Sequence, residues 1–357
     1  SNTPKNQHMK KHINPLKGFV FFALAVTPIL SFARHDGENI EKKRTISKTY
    51  NVGPEDRLSI DNSFGNVTVA TWDKNVIQVD IEIGVRASTD EKAQRMLDEI
   101  NVTDHQGSQE IQFKTDIGQM SGKDKDKDNK YNDNESRRFY VDYKVSMPSK
   151  NPLRIENSFG KITIPDFAGN ASLTSKFGEL TTGKITNAKM IHVEFGKANI
   201  GMLNNADVIF KFNSKSSVAG LSGNSKVDVQ FCSHVNLSVD NSMSELSLFQ
   251  SYSSIDLKVP DNLSAKFDVY TNFGSFNNKT SFDINEEKED DSSGPKFDKS
   301  YSGKAGNGAA RIKIKSSFGS VSVANVNDKS TDKDEKDDDK DDDKDDSKDN
   351  NRSKVNL

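Results

Sequence analysis

The chain has 357 residues, a formal net charge of −3 and a hydrophobic content of 32%, low for a globular protein. Residues 328–350 hold 13 acidic residues and 6 lysines, and Arg352 and Lys354 follow them, so residues 1–327 carry a charge of only about +2. This excludes a thick-cored doubly wound or barrel enzyme as a first expectation, and a near-neutral body argues against nucleic acid as a partner.

In chain order, the first signal is one of export. Lys10, Lys11 and Lys17 precede the apolar run Phe19–Leu30, and Ser31 and Ala33 supply small residues at −3 and −1. Residues 9–33 read as a signal peptide cleaved after Ala33, since 12 apolar residues are too few to span a bilayer. The expected location is exported: periplasm, outer-membrane-associated or cell surface, with no transmembrane helix in the mature chain. Cys232 is the only cysteine, so no intrachain disulfide can form and burial and backbone pairing must hold the fold.

Residues 45–150 read as N-terminal strands with an α/β capping unit. Its strands are 76–85, 110–117 and 137–148, and a charged loop spans 118–136. A helix over 89–100 has Thr89 or Ser88 as N-cap and Ala93, Met96, Leu97 and Ile100 as its apolar face. This strand–helix–strand–strand unit is expected to cover an exposed sheet edge.

Residues 151–284 carry a repeat. Phe-Gly recurs within short alternating segments: LSIDNSFGNVTVA (58–70), LRIENSFGKITIP (153–165), IHVEFGKANI (191–200), VYTNFGSFN (269–277) and IKSSFGSVSV (314–323). The phenylalanines at 159, 177, 195, 212 and 231 are 18, 18, 17 and 19 residues apart. Strand chemistry at that period predicts an all-β fold, a parallel β-solenoid of ~18-residue coils. Period-2 alternation places Ile191, Val193 and Phe195 inward together, so Phe177, Phe195, Phe212 and Phe231 are expected to form a ladder inside a narrow core. The glycine after each phenylalanine is expected to take a positive-φ corner. Asn213 and Cys232 occupy that place in two coils, and a copy near Leu246–Leu257 lacks its phenylalanine. Outward, Lys176, Glu194 and Lys211 fall in one column and Glu179 and Lys197 in another, a pattern that fixes register. Residues 285–309 read as a mobile polar insertion, 310–326 as C-terminal strands forming the last rungs, and 327–357 as a disordered Asp/Lys-rich tail.

The signal peptide, LSIDNSFGNVTVATWDKN, the short helix ending LDEI and YKVSMPSKNPLRIENSFGKITIPD together resemble the adhesin-like β-strand repeat proteins of Gram-negative envelopes. Those are related to the auto-transporter adhesin head GIN domain group. The resemblance covers about Tyr50 to Val326. It implies a right-handed, β-helix-like course and an envelope location, and it implies no catalytic residues. The 118–136 loop and the Asp/Lys tail depart from it.

No catalytic residues are expected. His192 and His234 lie on coil surfaces with no acid column evident beside them, and Asp207, Asp228 and Asp256 fall in different columns. One metal signal stands out: Asp124, Asp126, Asp128 and Glu135 occupy positions 1, 3, 5 and 12 of a calcium loop, with Asn129 in place of the usual glycine. The flanks are not helical, and a solvated loop is the competing reading; no other cofactor is expected. The sequence therefore points to a non-enzymatic envelope scaffold, or an adhesin-like surface for a glycan or protein. A polysaccharide-processing enzyme on a β-helix and a periplasmic structural or sensory protein are the alternatives.

Overall fold

The structure is a computed structural model that describes residues 40–118, 139–287 and 297–327. The expected signal peptide, the calcium candidates Asp124, Asp126, Asp128 and Glu135, and residues 328–357 lie outside the described residues. The described chain is all-β apart from the helix Asp90–Glu99. Thr89 caps that helix by accepting the Lys92 amide, and Ala93 and Leu97 are buried.

Each repeat contributes a leading strand before its aromatic residue and a trailing strand after it, and two rows result. In the leading row Arg57–Ser63, Leu153–Ser158, Phe167–Lys176, Ile185–Glu194 and Asp207–Lys211 lie parallel in succession. In the trailing row the succession is Val67–Trp72, Lys161–Ile164, Glu179–Thr182 and Lys197–Asn204. The long strands Lys215–Gln230 and His234–Ser251 run through both rows. Alternation decides which side chains enter the core. In the coil containing Ile191, the buried set includes Ile191, Val193, Ala198, Ile200 and Leu203, and each large aliphatic in it contributes about 1.5–3 kcal/mol by burial. The charge columns fall as the repeat spacing predicts: Lys176 aligns with Glu194, Glu194 with Lys211, and Glu179 with Lys197.

At both ends antiparallel pairs follow the parallel rows, and at the N-terminal end two further strands first join in parallel. At the N-terminal end Glu110–Asp116 pairs with Arg57–Ser63 and Phe139–Pro148 with Val67–Trp72. Val76–Ala87 and then Ile40–Asn51 extend the trailing row antiparallel. At this end two strands were not read from the sequence: Ile40–Asn51, with Lys42, Lys43, Arg44 and Lys48, and Asn101–Gln106. Charges of this kind blunt an open edge.

Three expectations are corrected. Residues 310–325 do not form the last rungs. Ala310–Ser317 lies between His234–Ser251 and Ala265–Asn272, and Ser320–Asn325 lies between Ser254–Val259 and Ser275–Asn278. The interval 285–309 is not wholly a polar insertion, because Asp298–Ala305 pairs antiparallel with both Ala265–Asn272 and Asp283–Glu286. The phenylalanine ladder exists, but it stands outside the core. Its members from Phe64 to Phe318, with Phe273, have φ of 48–63°, a left-handed kink at the strand end that breaks the alternation and swings the ring outward. Phe195 is 45% exposed, whereas Phe210, within its strand, is fully buried.

Candidate functional site

The external ladder is the feature with the largest reach. Its rings stack in the order Phe64, Phe159, Phe177, Phe195, Phe212, Phe231, Tyr252, Phe318, Phe273 and Phe297, with centroids 4.5–5.1 Å apart and nearly parallel planes. Tyr252 fills the place of the phenylalanine missing near Leu246–Leu257. Every member from Phe159 to Phe297 is 44–54% exposed. With roughly 200 Å² per aromatic side chain, half exposure over nine rings gives about 900 Å² of continuous apolar stripe, above the few hundred Å² usual on a monomer.

The glycines serve the ladder by close approach, and the positive φ belongs to the phenylalanine. A Cβ on Gly178 would lie 2.0 Å from the Gly160 carbonyl oxygen, and one on Gly196 would lie 2.1 Å from that of Gly178. Asn213 and Cys232 escape this restriction because an extra residue, Ser214 or Ser233, precedes the next strand. Both side chains turn inward and are buried. The Asn213 amide donates to the Val193 carbonyl at 3.2 Å and its oxygen accepts from the Gly196 amide at 3.1 Å. The Cys232 thiol donates to the Gln230 carbonyl, and burial pushes its pKa up.

Beneath the ladder a polar column occupies the N-terminal end of the core. Asn62 donates to the Val141 carbonyl and to Asn157 at 3.0 and 2.9 Å, and accepts from Thr115 at 2.8 Å. Asn157 donates to the Gly65 carbonyl. These bonds tie the corners of successive coils together, as buried amides require.

Charged columns flank the middle of the ladder. Glu179 bridges Lys161 at 3.0 Å and Lys197 at 3.4 Å, and Lys161 above all holds its carboxyl below the usual range. An open groove of about 410 Å³ runs beside Phe177, Phe195 and Phe212, edged by Lys197 and Ser214.

The histidines have acidic neighbours that were not expected. His234 lies 3.3 Å from Asp256 and 3.0 Å from Asn236, and the Asp256 hydrogen bond raises its pKa. His192 lies 3.8 Å from Glu194, but burial dominates and lowers its pKa. Among the described residues no serine hydroxyl is hydrogen-bonded to either histidine, as a triad would require. Asp207 and Glu245 line one open groove of about 460 Å³ with Lys189 and Lys226. Glu245 is engaged by Lys313 at 3.0 Å. Asp228 pairs in register with Phe249, and Asp256 with Asn236 and Ser322. Among the described residues there is no cluster of three or more metal-ligating side chains, and no helix is long and apolar enough to cross a membrane.

No family profile matches the chain, and no curated protein does. Among solved structures, a proposed cell adhesion protein from Clostridium sporogenes ATCC 15579 aligns at 10% identity and a TM-score of 0.22, covering 79% of this chain and 99% of its own. A proposed adhesin from Bacteroides fragilis NCTC 9343 aligns at 11% identity and a TM-score of 0.26, covering 79% and 97%. A proposed lipid binding protein from Parabacteroides distasonis ATCC 8503 aligns at 9% identity and 0.24, covering 81% and 98%. Likenesses at these TM-scores do not carry a role to this chain.

Proposed function

We propose that the protein is a non-enzymatic, exported binding scaffold of the cell envelope, with a right-handed parallel β-solenoid presenting an adhesin-like surface to a glycan or protein. The observation that carries this reading is the external aromatic ladder. A chain that needed only a core would place its phenylalanines inside. This one holds nine aromatic residues in a left-handed backbone conformation that costs about 1–2 kcal/mol each, and so keeps a long apolar stripe in contact with solvent. Polar and charged columns rim that stripe, the usual setting of an interaction surface.

The test is binding of the purified chain to isolated envelopes of its host. Phe177→Ser and Phe212→Ser are compared with wild type after circular dichroism has shown all three folded. Binding reduced by about tenfold or more in the variants supports the reading; equal binding refutes it. Protease digestion of intact and permeabilised cells then separates a surface location from a periplasmic one.

A further inference from the structure

The ladder is not uniform along its length. On its leading-strand side each coil presents one residue beside the ring and another two positions earlier. Through the middle coils the nearer residues are Lys176, Glu194, Lys211 and Gln230, and the farther ones are Thr174, His192, Ile209 and Asp228. At the C-terminal end the nearer residues become Ser251, Ser317 and Asn272, and the farther ones Phe249, Lys315 and Tyr270. Large charged side chains give way to small neutral ones, and a second aromatic row appears.

The result is a trough with two walls. Tyr252, Phe318, Phe273 and Phe297 form one, at 45–54% exposure; Phe249 and Tyr270 stand in the other at 37% and 40%. The floor is Ser251, Ser317 and Asn272, with Asp298 at the far end, where Asn272 donates to it. Among the described residues no hydrogen bond engages the hydroxyl of Ser251 or Ser317. Four strands span about 14 Å at ~4.8 Å per strand, room for a short oligosaccharide.

Building on the ladder as the binding surface, we infer that this trough binds an uncharged carbohydrate chain. Sugars present apolar C–H patches and hydroxyls together, which aromatic walls and a hydroxyl floor match. An acidic polymer would call for cations along the floor, and Ser251, Ser317 and Asn272 supply none. Lys315 lies in the wall with its ammonium 6.0 Å from the Phe249 ring centroid, and Lys226 lies at 5.8 Å.

The test is electrophoresis of the full chain through native gels containing hydroxyethylcellulose, galactomannan or soluble β-galactan, with alginate as the anionic comparison. Ser317→Lys places in the floor the residue type found at Lys211. Tyr270→Ser opens the wall, and Lys211→Ser alters the same column outside the trough. Retardation by a neutral polysaccharide is expected, weakened about tenfold by Ser317→Lys and Tyr270→Ser and unchanged by Lys211→Ser. Absence of retardation by all three neutral polymers, retardation by alginate alone, or wild-type behaviour of Ser317→Lys overturns the inference. If envelope binding still depends on Phe177 and Phe212 in that event, the ladder reading stands and only the trough is lost; if that dependence is absent, both fall.

Discussion

Replacing Phe195 by alanine and by glycine gives an ordering that only a left-handed, external ladder predicts. Phe195 has φ 53°, is 45% exposed, and stacks at 4.9 Å on Phe177 and 4.8 Å on Phe212. Truncation to alanine uncovers about 100 Å², worth roughly 2.5 kcal/mol at ~25 cal/mol/Å². Two ring contacts add about 1–3 kcal/mol, so Phe195→Ala costs about 3.5–5.5 kcal/mol. Alanine keeps the left-handed penalty of about 1–2 kcal/mol. Glycine relieves it, at a cost of about 0.4–1 kcal/mol in unfolded-chain entropy. Phe195→Gly is therefore expected to be more stable than Phe195→Ala by about 0.5–1 kcal/mol. At Phe210, buried within an ordinary strand, the order reverses, with glycine worse than alanine by roughly 0.5–1 kcal/mol. Urea midpoints followed by far-ultraviolet circular dichroism read both pairs. A lower midpoint for Phe195→Gly than for Phe195→Ala would refute the reasoning.

Gly178→Ala forces a Cβ to 2.0 Å from a backbone oxygen and is expected to lower the urea midpoint by the equivalent of about 2 kcal/mol or more; a near-neutral midpoint shift contradicts the close approach. Asn62→Ala strips partners from Val141, Asn157 and Thr115, and at about 1–3 kcal/mol for a buried group left unsatisfied, a loss below that range would show that water replaces it. His234 and His192 should titrate on opposite sides of ~6.5. The raised His234 value makes its contribution to stability fully present below the unfolded pKa and lost as pH rises through the folded one. The lowered His192 value works the other way, its contribution being present above the unfolded pKa and lost as pH falls from there through the lower folded one. Ring-proton NMR titration checks both, and Asp256→Asn should remove the elevation at His234 and leave His192 unmoved.

The coil spacing was legible because strand pairing ties residues ~18 apart, and the charge columns at Lys176, Glu194 and Lys211 followed from it. The side of the ladder was not legible. Alternation treats Phe195 as the next inward residue after Val193, and nothing in Ile-His-Val-Glu-Phe announces that the strand has ended. The available signal lay one residue on: the repeated glycine implies close backbone approach at the corner, and a bulky ring has no room inside such a corner. Tyr252 was hidden because phenylalanine marks every other corner of the repeat, although Ser251-Tyr252-Ser253 keeps the polar-aromatic-small pattern. The trough was hidden because Phe249 and Tyr270 come together only through the strand Ala310–Ser317 between them, which begins 61 residues beyond Phe249 and 40 beyond Tyr270.

That same entry settles where the molecule can grow. The strand Ala310–Ser317 and its continuation Ser320–Asn325 are a keystone, held on both sides by coils made earlier in the chain. Trimming the chain before residue 310 would not shorten the stack by its final turn. It would open a slot one coil wide, with unpaired backbone facing it from either side, and a second molecule could fill that slot with its own 310–325 segment. Lengthening is free of this constraint only where consecutive coils are neighbours in both sequence and space, between Leu153 and Ser251, so added or deleted coils belong in that interval.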